Sequence, residues 1–217
     1  MKFAEQGYRI AAGPAVASVV LAILVGPLWG LAGLAVAAAL LAFFRDPERT
    51  VPDEPGAVIA PADGRVCAVT DDGKLHRFDE TATRRVSIFM SPLDVHINRM
   101  PVDGTVERVE HKPGNFGAAY SDEASDSNES NSLLVRAADG SRLVVVQIAG
   151  WLARRIVCYI DEQAALARGE RFGLIMFSSR VDVYLPADYE VAVAVGDRTT
   201  AGETVIARSA AEAPRGA

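Results

Sequence analysis

Histidine and cysteine are scarce in this chain, at three and two among 217 residues. His76, His96 and His111 form no His-x-His pair, and Cys67 and Cys158 form no Cys-x-x-Cys. A catalytic zinc site needs about three protein ligands at local spacings, so no metal ligand is assigned. No glycine-rich loop of the phosphate-cradling kind opens a helix after a strand, which removes the common nucleotide enzymes. Two cysteines in apolar, strand-like runs read as buried thiols of a reducing compartment rather than a disulfide framework. Basic side chains are outnumbered, 22 against 28, for a net charge of −6, which excludes a basic nucleic-acid binder. Aromatics are 7%, yet half of the residues are hydrophobic, so a disordered chain is excluded too.

That hydrophobicity is concentrated at the N-terminus. Ile10 to Phe44 is a run of 35 residues without one charged side chain. As helix it would extend roughly 52 Å, against a hydrocarbon core of about 30 Å. The run is too long for one upright pass and slightly short for two. Gly26-Pro27 sits near its middle and can end or kink a helix. Lys2 and Arg9 flank one end, Arg45 and Arg49 the other, so the positive-inside rule directs both ends to the cytoplasm. A helical hairpin or deep re-entrant pair fits best; one tilted span is the rival. Without residues 1–44, 20 cationic side chains face 27 acidic ones, a net charge of −7. The expected organisation is a membrane anchor over 1–44, a soluble domain over 45–209 and a flexible tail over 210–217.

After Pro52 the pattern is β-rich. Short Val, Ile, Leu and Phe runs recur every 8–12 residues or so between Gly, Pro and Asp. Asp63-Gly64, Asp72-Gly73, Asp103-Gly104 and Asp139-Gly140 supply turns. The expected fold is mainly β: a β-sandwich/barrel-like hybrid with few short helices, behind an N-terminal hydrophobic helical membrane segment. Expected strands include Lys74–Phe78, Arg85–Met90, Arg142–Ile148, Phe172–Phe177 and Val181–Leu185, with a short helix around Asp161–Ala167. Ala60–Val66 and Val195–Glu203 resemble the strand–turn–strand edges of lipoyl and biotinyl carriers. Gly114–Asn131 is polar and reads as a surface loop or a flap over a site.

Four places carry candidate chemistry. His96 lies in a dense polar segment bracketed by Pro92 and Pro101, as a surface histidine or a functional one. Asp63 either caps its Asp-Gly turn or acts. Arg154-Arg155 interrupts an apolar run, and such cations need acidic partners or an anionic ligand, for which phosphate suits arginine. Gly173–Asp182 runs from an apolar strand through Ser178-Ser179-Arg180 into a second strand, as a tight hairpin with the serines in the bend or as a reactive bend.

Several motifs in order resemble the short prokaryotic form of the phosphatidylserine decarboxylases over nearly the whole chain. They are Phe43–Arg49, Pro61–Gly64, Asp94–Pro101, Asn128-Glu129, Gly150–Ile156, Gly169–Gly173, Phe177–Asp182 and Gly202–Ala207. The resemblance implies a self-made pyruvoyl cofactor. Ser179 matches the processed serine, whose hydroxyl attacks the carbonyl of Ser178, so the cut falls between 178 and 179. The pyruvoyl group derived from Ser179 would then form a Schiff base with the amine of a phospholipid substrate. Products would be phosphatidylethanolamine and CO2, in phospholipid biosynthesis.

The resemblance further implies roles for Asp63 in processing and for His96 as general acid. It directs Arg154, Arg155, Arg180, Asn98 and Arg99 to substrate binding. The implied partners are the membrane and the large and small chains of one precursor; no nucleic acid is involved, and a homo-oligomer is compatible with it. The catalytic domain would sit on the cytoplasmic face of the cell membrane.

Three departures stand out. Glycine is usual where Ser178 stands, although another pyruvoyl family cuts a Ser-Ser bond. Asn-Glu-Arg reads Asn128-Glu129-Ser130, and longer members carry a second histidine at Arg99. Three alternatives follow: a decarboxylase of another phosphoserine lipid such as archaetidylserine, an unprocessed inactive paralogue, or a membrane-anchored β-sandwich binding module. A carrier would need a lysine at a hairpin tip, and neither Ser178-Ser179 nor Ala62-Asp63-Gly64 offers one.

Overall fold

The structure is a computed structural model that describes residues 2–71, 78, 84–114, 127–150, 155–177 and 179–210. His76, Arg154 and Ser178 lie outside the described residues, as do most of Lys74–Phe78, Gly114–Asn131 and the 210–217 tail. The chain divides into two compact units, Met1–Glu48 and Arg49–Ala217.

The first unit pairs β1 (Lys2–Phe3) with β2 (Arg45–Asp46) and holds two helices, α1 (Glu5–Leu24) and α2 (Pro27–Phe43). Arg45 and Asp46 pair with Phe3 and Lys2, so they belong to this compact unit, which runs to Glu48. The turn is where the sequence has its breaker: Gly26 adopts φ 133°, open to glycine, and Pro27 begins α2, where its missing N–H costs nothing. Small residues let the helices pack closely. A Cβ on Gly30 would lie 2.5 Å from that of Ala22, and one on Gly33 2.7 Å from that of Ser18. Large apolar side chains, among them Ile23, Leu24, Leu28 and Leu31, point outward. With 20 residues, most of them apolar, α1 has the length and composition to cross a membrane, at about 30 Å; α2, with 17, is shorter.

The second unit is antiparallel β. Its strands are β3 (Ala57–Ile59), β4 (Gly64–Thr70), β5 (Arg84–Met90), β6 (Ile97–Arg99), β7 (Gly104–Lys112), β8 (Ser130–Ala137) and β9 (Arg142–Ala149). Then come β10 (Ile156–Cys158), β11 (Ala165–Leu166), β12 (Arg171–Ile175), β13 (Ser179–Leu185), β14 (Tyr189–Val191), β15 (Arg198–Thr199) and β16 (Val205–Ser209). Eight form one sheet in the order β11-β7-β8-β9-β13-β5-β4-β15. Two three-stranded sheets, β10-β12-β6 and β14-β16-β3, contribute Phe172, Ile175, Val58, Ile206 and Ala207 to the core on one of its faces. This is the sandwich-like, mainly β fold the spacing implies.

Strand alternation sorts β13 between two environments. Val181, Val183 and Leu185 join the main core with Val145, Ile88 and Val86. Tyr184 faces the other side with Leu134, Val144, Val146 and Ile148. The carrier-like edges also meet: β15 pairs with β4, Arg198 against Arg65 and Thr199 against Gly64.

Three expectations are corrected here. Asp161–Ala167 is not a helix, because Gln163 takes φ 68° and Ala165-Leu166 pairs with Thr105 and Gly104. Cys67 and Cys158 are free thiols but only half-buried, donating to the carbonyls of Ser87 and Ile160. β12 and β13 do not pair as a hairpin: they belong to different sheets, and β13 starts two residues earlier than expected, at Ser179.

Candidate active site

Between Ile175 and Ser179 the chain leaves a small sheet and enters the middle of the large one. Phe177 sits in this passage with φ 57°, a conformation that costs a bulky L-residue on the order of 1–3 kcal/mol. Ser179 then pairs with Met90 on β5 and Ala149 on β9. Its side chain is fully buried on the core face, and its Oγ has no hydrogen-bond partner among the described residues. Burying a hydroxyl unsatisfied costs about 1–3 kcal/mol; the hydroxyls of Ser87 and Ser209 share that state among the described residues. A cut before Ser179 would separate no paired strands. The chain up to Ile175 stays bonded to β6 and β10, and the chain from Ser179 stays bonded to β5 and β9.

His96 reaches the same end of the sheet. Its carbonyl accepts from the N–H of Ile175 at 3.4 Å, and it lies six residues beyond Met90, the partner of Ser179. The ring is buried, with Nδ1 2.9 Å from the backbone carbonyl of Asp94. A carbonyl only accepts, so Nδ1 carries a proton, and whenever the ring is neutral its lone pair is at Nε2; this is assigned from the contact. The Asp94 carboxylate is occupied elsewhere. It accepts from the N–H and Oγ of Ser91, at 2.9 and 2.7 Å, and from Arg198 at 2.8 Å.

Asp63 lies in the turn before Gly64. A Cβ at Gly64 would meet the carbonyl of Phe89 at 2.2 Å, so only glycine brings this turn against β5. The Asp63 carboxylate accepts from Nη2 of Arg49 at 2.7 and 2.9 Å and from the N–H of Ala201 at 2.8 Å. Burial pushes its pKa above the ordinary carboxyl value, against the opposing pull of Ala201 and Arg49; the charge of Asp94 adds to the rise. Among the described residues His96 is not one of its hydrogen-bond partners, so the two are linked through Asp94, whose charge Asp63 feels and whose carbonyl holds the ring.

The expected headgroup residues separate. Arg155 is exposed, and no hydrogen bond or ion pair of its guanidinium is found among the described residues. Its carbonyl accepts from Met176, three residues before Ser179. Arg180 does not share the Ser179 face. It is fully buried on the opposite one, its guanidinium 2.6 Å from Asp182, which outweighs burial and keeps it charged. One strand position reverses the face, so Arg180 and Ser179 point to opposite sides of the sheet. Asn98 and Arg99 are interior as well. Arg99 donates to the carbonyl of Gly169 at 2.9 Å. Asn98 ends a buried amide row in which Asn131 donates to Gln147 at 3.1 Å and Gln147 to Asn98 at 2.8 Å. Asn98 itself donates to the Met90 sulfur at 3.7 Å, so the row braces the strand that pairs with Ser179.

Gln147, Asn131, Asn128 and Arg49 hydrogen-bond to these residues or their strand neighbours, and the sequence alone attaches no role to them. Asn128, fully buried, donates to the carbonyl of Ala149 beside Ser179 at 2.8 Å. A lone amide within Val144-Val145-Val146-Gln147-Ile148 was a visible signal, since a buried amide in an apolar strand requires a partner. In the sequence Arg49 is a membrane flank and the last residue of the Phe43–Arg49 motif, with no role at Asp63 attached.

Residues 36–207, which include Asp63, His96 and Ser179, match the family model for phosphatidylserine decarboxylase. A phosphatidylserine decarboxylase proenzyme of Mycolicibacterium vanbaalenii is 49% identical over 179 residues, covering 81% of this chain and 76% of the relative. Proenzymes of the same name from Mycobacterium bovis and Mycobacterium tuberculosis are each 50% identical over 177 residues, covering 81% of this chain and 77% of the relative. The chain belongs to the phosphatidylserine decarboxylase family.

Proposed function

We propose that the chain is a self-cleaving precursor that decarboxylates phosphatidylserine to phosphatidylethanolamine and CO2, with a pyruvoyl group made from Ser179. The observation that carries this is the buried, unsatisfied hydroxyl of Ser179 directly beyond the strained passage at Phe177, in a chain of this family. The site fits such a group: a small three-carbon unit replaces a serine that has no hydrogen bond to lose.

In processing, Ser179 Oγ adds to the carbonyl carbon of residue 178 and gives its proton to neutral His96 at Nε2. His96 passes that proton to the nitrogen of residue 179, which leaves the carbon as an amine, and an ester remains. Loss of the Cα proton of residue 179 expels the carboxylate of residue 178. The remaining dehydroalanine takes up water and releases ammonia, leaving the pyruvoyl end of a small chain, 179–217, beside a large chain, 1–178. In decarboxylation that group supplies an electron sink conjugated to the substrate amine. Protonated His96 then returns a proton to the carbon that lost CO2, as a general acid. The guanidinium of Arg155 holds the lipid phosphate with its forked donors. The apolar helices with basic flanks anchor the protein to the cell membrane with both ends on the cytoplasmic side.

Arg155→Ala is expected to raise KM for phosphatidylserine about tenfold, the worth of one exposed charge-assisted contact, while self-cleavage and kcat persist. Steady-state kinetics on vesicles of varied phosphatidylserine content measure it, and an unchanged KM removes Arg155 from the headgroup.

Asp63 sets a pH dependence. Its raised pKa means that the fold favours the protonated carboxyl fully below the ordinary value of 3.8 and loses that preference as pH rises through the raised value. Processing with ionised Asp63 therefore slows on acidification, with a midpoint above 3.8. Arg49→Ala removes a cation that lowers this pKa, so the acid limb moves to higher pH, and Arg49→Lys restores it. Cleavage of freshly synthesised chain, followed on gels across the acid-to-neutral range, reads the shift. A limb that stays put in Arg49→Ala contradicts the role.

A further inference from the structure

We propose that Leu93 and Val195 form an edge of the catalytic unit that inserts into the surface of an anionic lipid bilayer and seats the site over the substrate headgroup. The inference rests on the decarboxylation of a bilayer lipid proposed above. Among the described residues of this unit, three large apolar side chains are exposed: Leu93 at 84%, Val195 at 62% and Tyr159 at 44%. Single exposed apolar residues are ordinary. Here, two of the three stand on loops that are bonded together.

Arg198 joins the loops by its 2.8 Å contact with Asp94, and Arg65 donates to the carbonyl of Gly196 at 2.7 Å. Gly196 and Asp197 also exchange backbone hydrogen bonds with Val66, both at 2.9 Å. The Leu93 turn is braced from within. The N–H of Asp94 donates to the carbonyl of Ser91, and the Asp94 carboxylate takes both donors of Ser91. Pro92 and Leu93 are thereby left outside on a fixed tip, so insertion orders little that is not already ordered.

Position supplies the occupant. Ser91 follows Met90, the partner of Ser179, and Leu93 precedes His96 by three residues. A lipid with two acyl chains presents its serine only at the bilayer surface, so that surface must come up against this end of the sheet. The charges agree. Arg65 and Arg198 are exposed beside the tip, Asp94 is only 11% exposed and bound to Arg198, and exposed Asp197 accepts from the N–H of Ala194 at 2.8 Å. In a unit that is acidic overall, Arg65 and Arg198 balance Asp94 and Asp197, so this edge meets an anionic surface with apolar groups and without the net repulsion of the rest.

The test uses full-length protein carrying Leu93→Asp and Val195→Asp. One substrate is phosphatidylserine in phosphatidylcholine vesicles; the other is a short-chain phosphatidylserine kept monomeric. The double variant should cleave itself normally and act on the monomeric substrate like the parent. Its KM on vesicles, as surface mole fraction, should rise about tenfold or more, given the apolar surface denied to the interface. Leu93→Phe with Val195 intact should behave like the parent. Parental kinetics of the double variant on vesicles would overturn the edge while leaving the decarboxylase reading intact, and so would an equal loss on both substrates. A parent inactive on both substrates would overturn the decarboxylase reading itself.

Discussion

Ser179→Ala is expected to remain one uncut chain and to release no CO2 from phosphatidylserine, a fall of about 10⁶-fold or more, toward the uncatalysed rate. Alanine keeps every atom of Ser179 except the hydroxyl. That hydroxyl makes no hydrogen bond among the described residues, so the variant loses none and spares the fold an unsatisfied buried group. Its unfolding midpoint should match or slightly exceed that of the uncut parent. A structural serine would give the opposite pattern: lower stability with activity preserved. Gel analysis, CO2 release and thermal unfolding of one preparation separate the two. Decarboxylation by an uncut Ser179→Ala chain would remove the cofactor from the account.

His96→Ala is expected to lower decarboxylation by about 10²–10⁴-fold, the usual worth of a positioned general acid–base group, and to slow self-cleavage in parallel. Both effects come from one nitrogen. Because Nδ1 is held on the Asp94 carbonyl, Nε2 is the atom that can exchange protons. Single-turnover decarboxylation by chain that has already processed isolates the second role from the first. Losses below about tenfold in both steps would show that the ring only fills space.

Much of the fold was legible because its signals are local. The charge-free run, the Gly26-Pro27 breaker and the alternating runs of the second unit each depend on neighbours in sequence. Ser179 and His96 stand out through motif order, and the roles proposed for them come from the family resemblance rather than from any local pattern. What failed was long-range. Ser178-Ser179 looked like a hairpin bend because two adjacent strands most simply pair with each other, whereas β12 and β13 join different sheets. The place of Arg180 is long-range too, because the family resemblance that directs it to the substrate carries no strand register. Once β13 begins at Ser179, alternation puts Arg180 behind the sheet with Asp182. Arg49 could not be foreseen as the partner of Asp63, 14 residues on, because the same cation also suits a membrane flank. The amide row of Asn131, Gln147 and Asn98 joins three strands distant in sequence, although the polar break in β9 announced one of its members.

The intact mass of purified full-length protein tests the central claim most directly. The account predicts two species: a large chain ending at Ser178 with a free carboxylate, and a small chain from residue 179 that is lighter by one ammonia than a serine N-terminus would make it. A single uncut chain that still decarboxylates phosphatidylserine, or a small chain beginning with an unmodified serine amine, would contradict it.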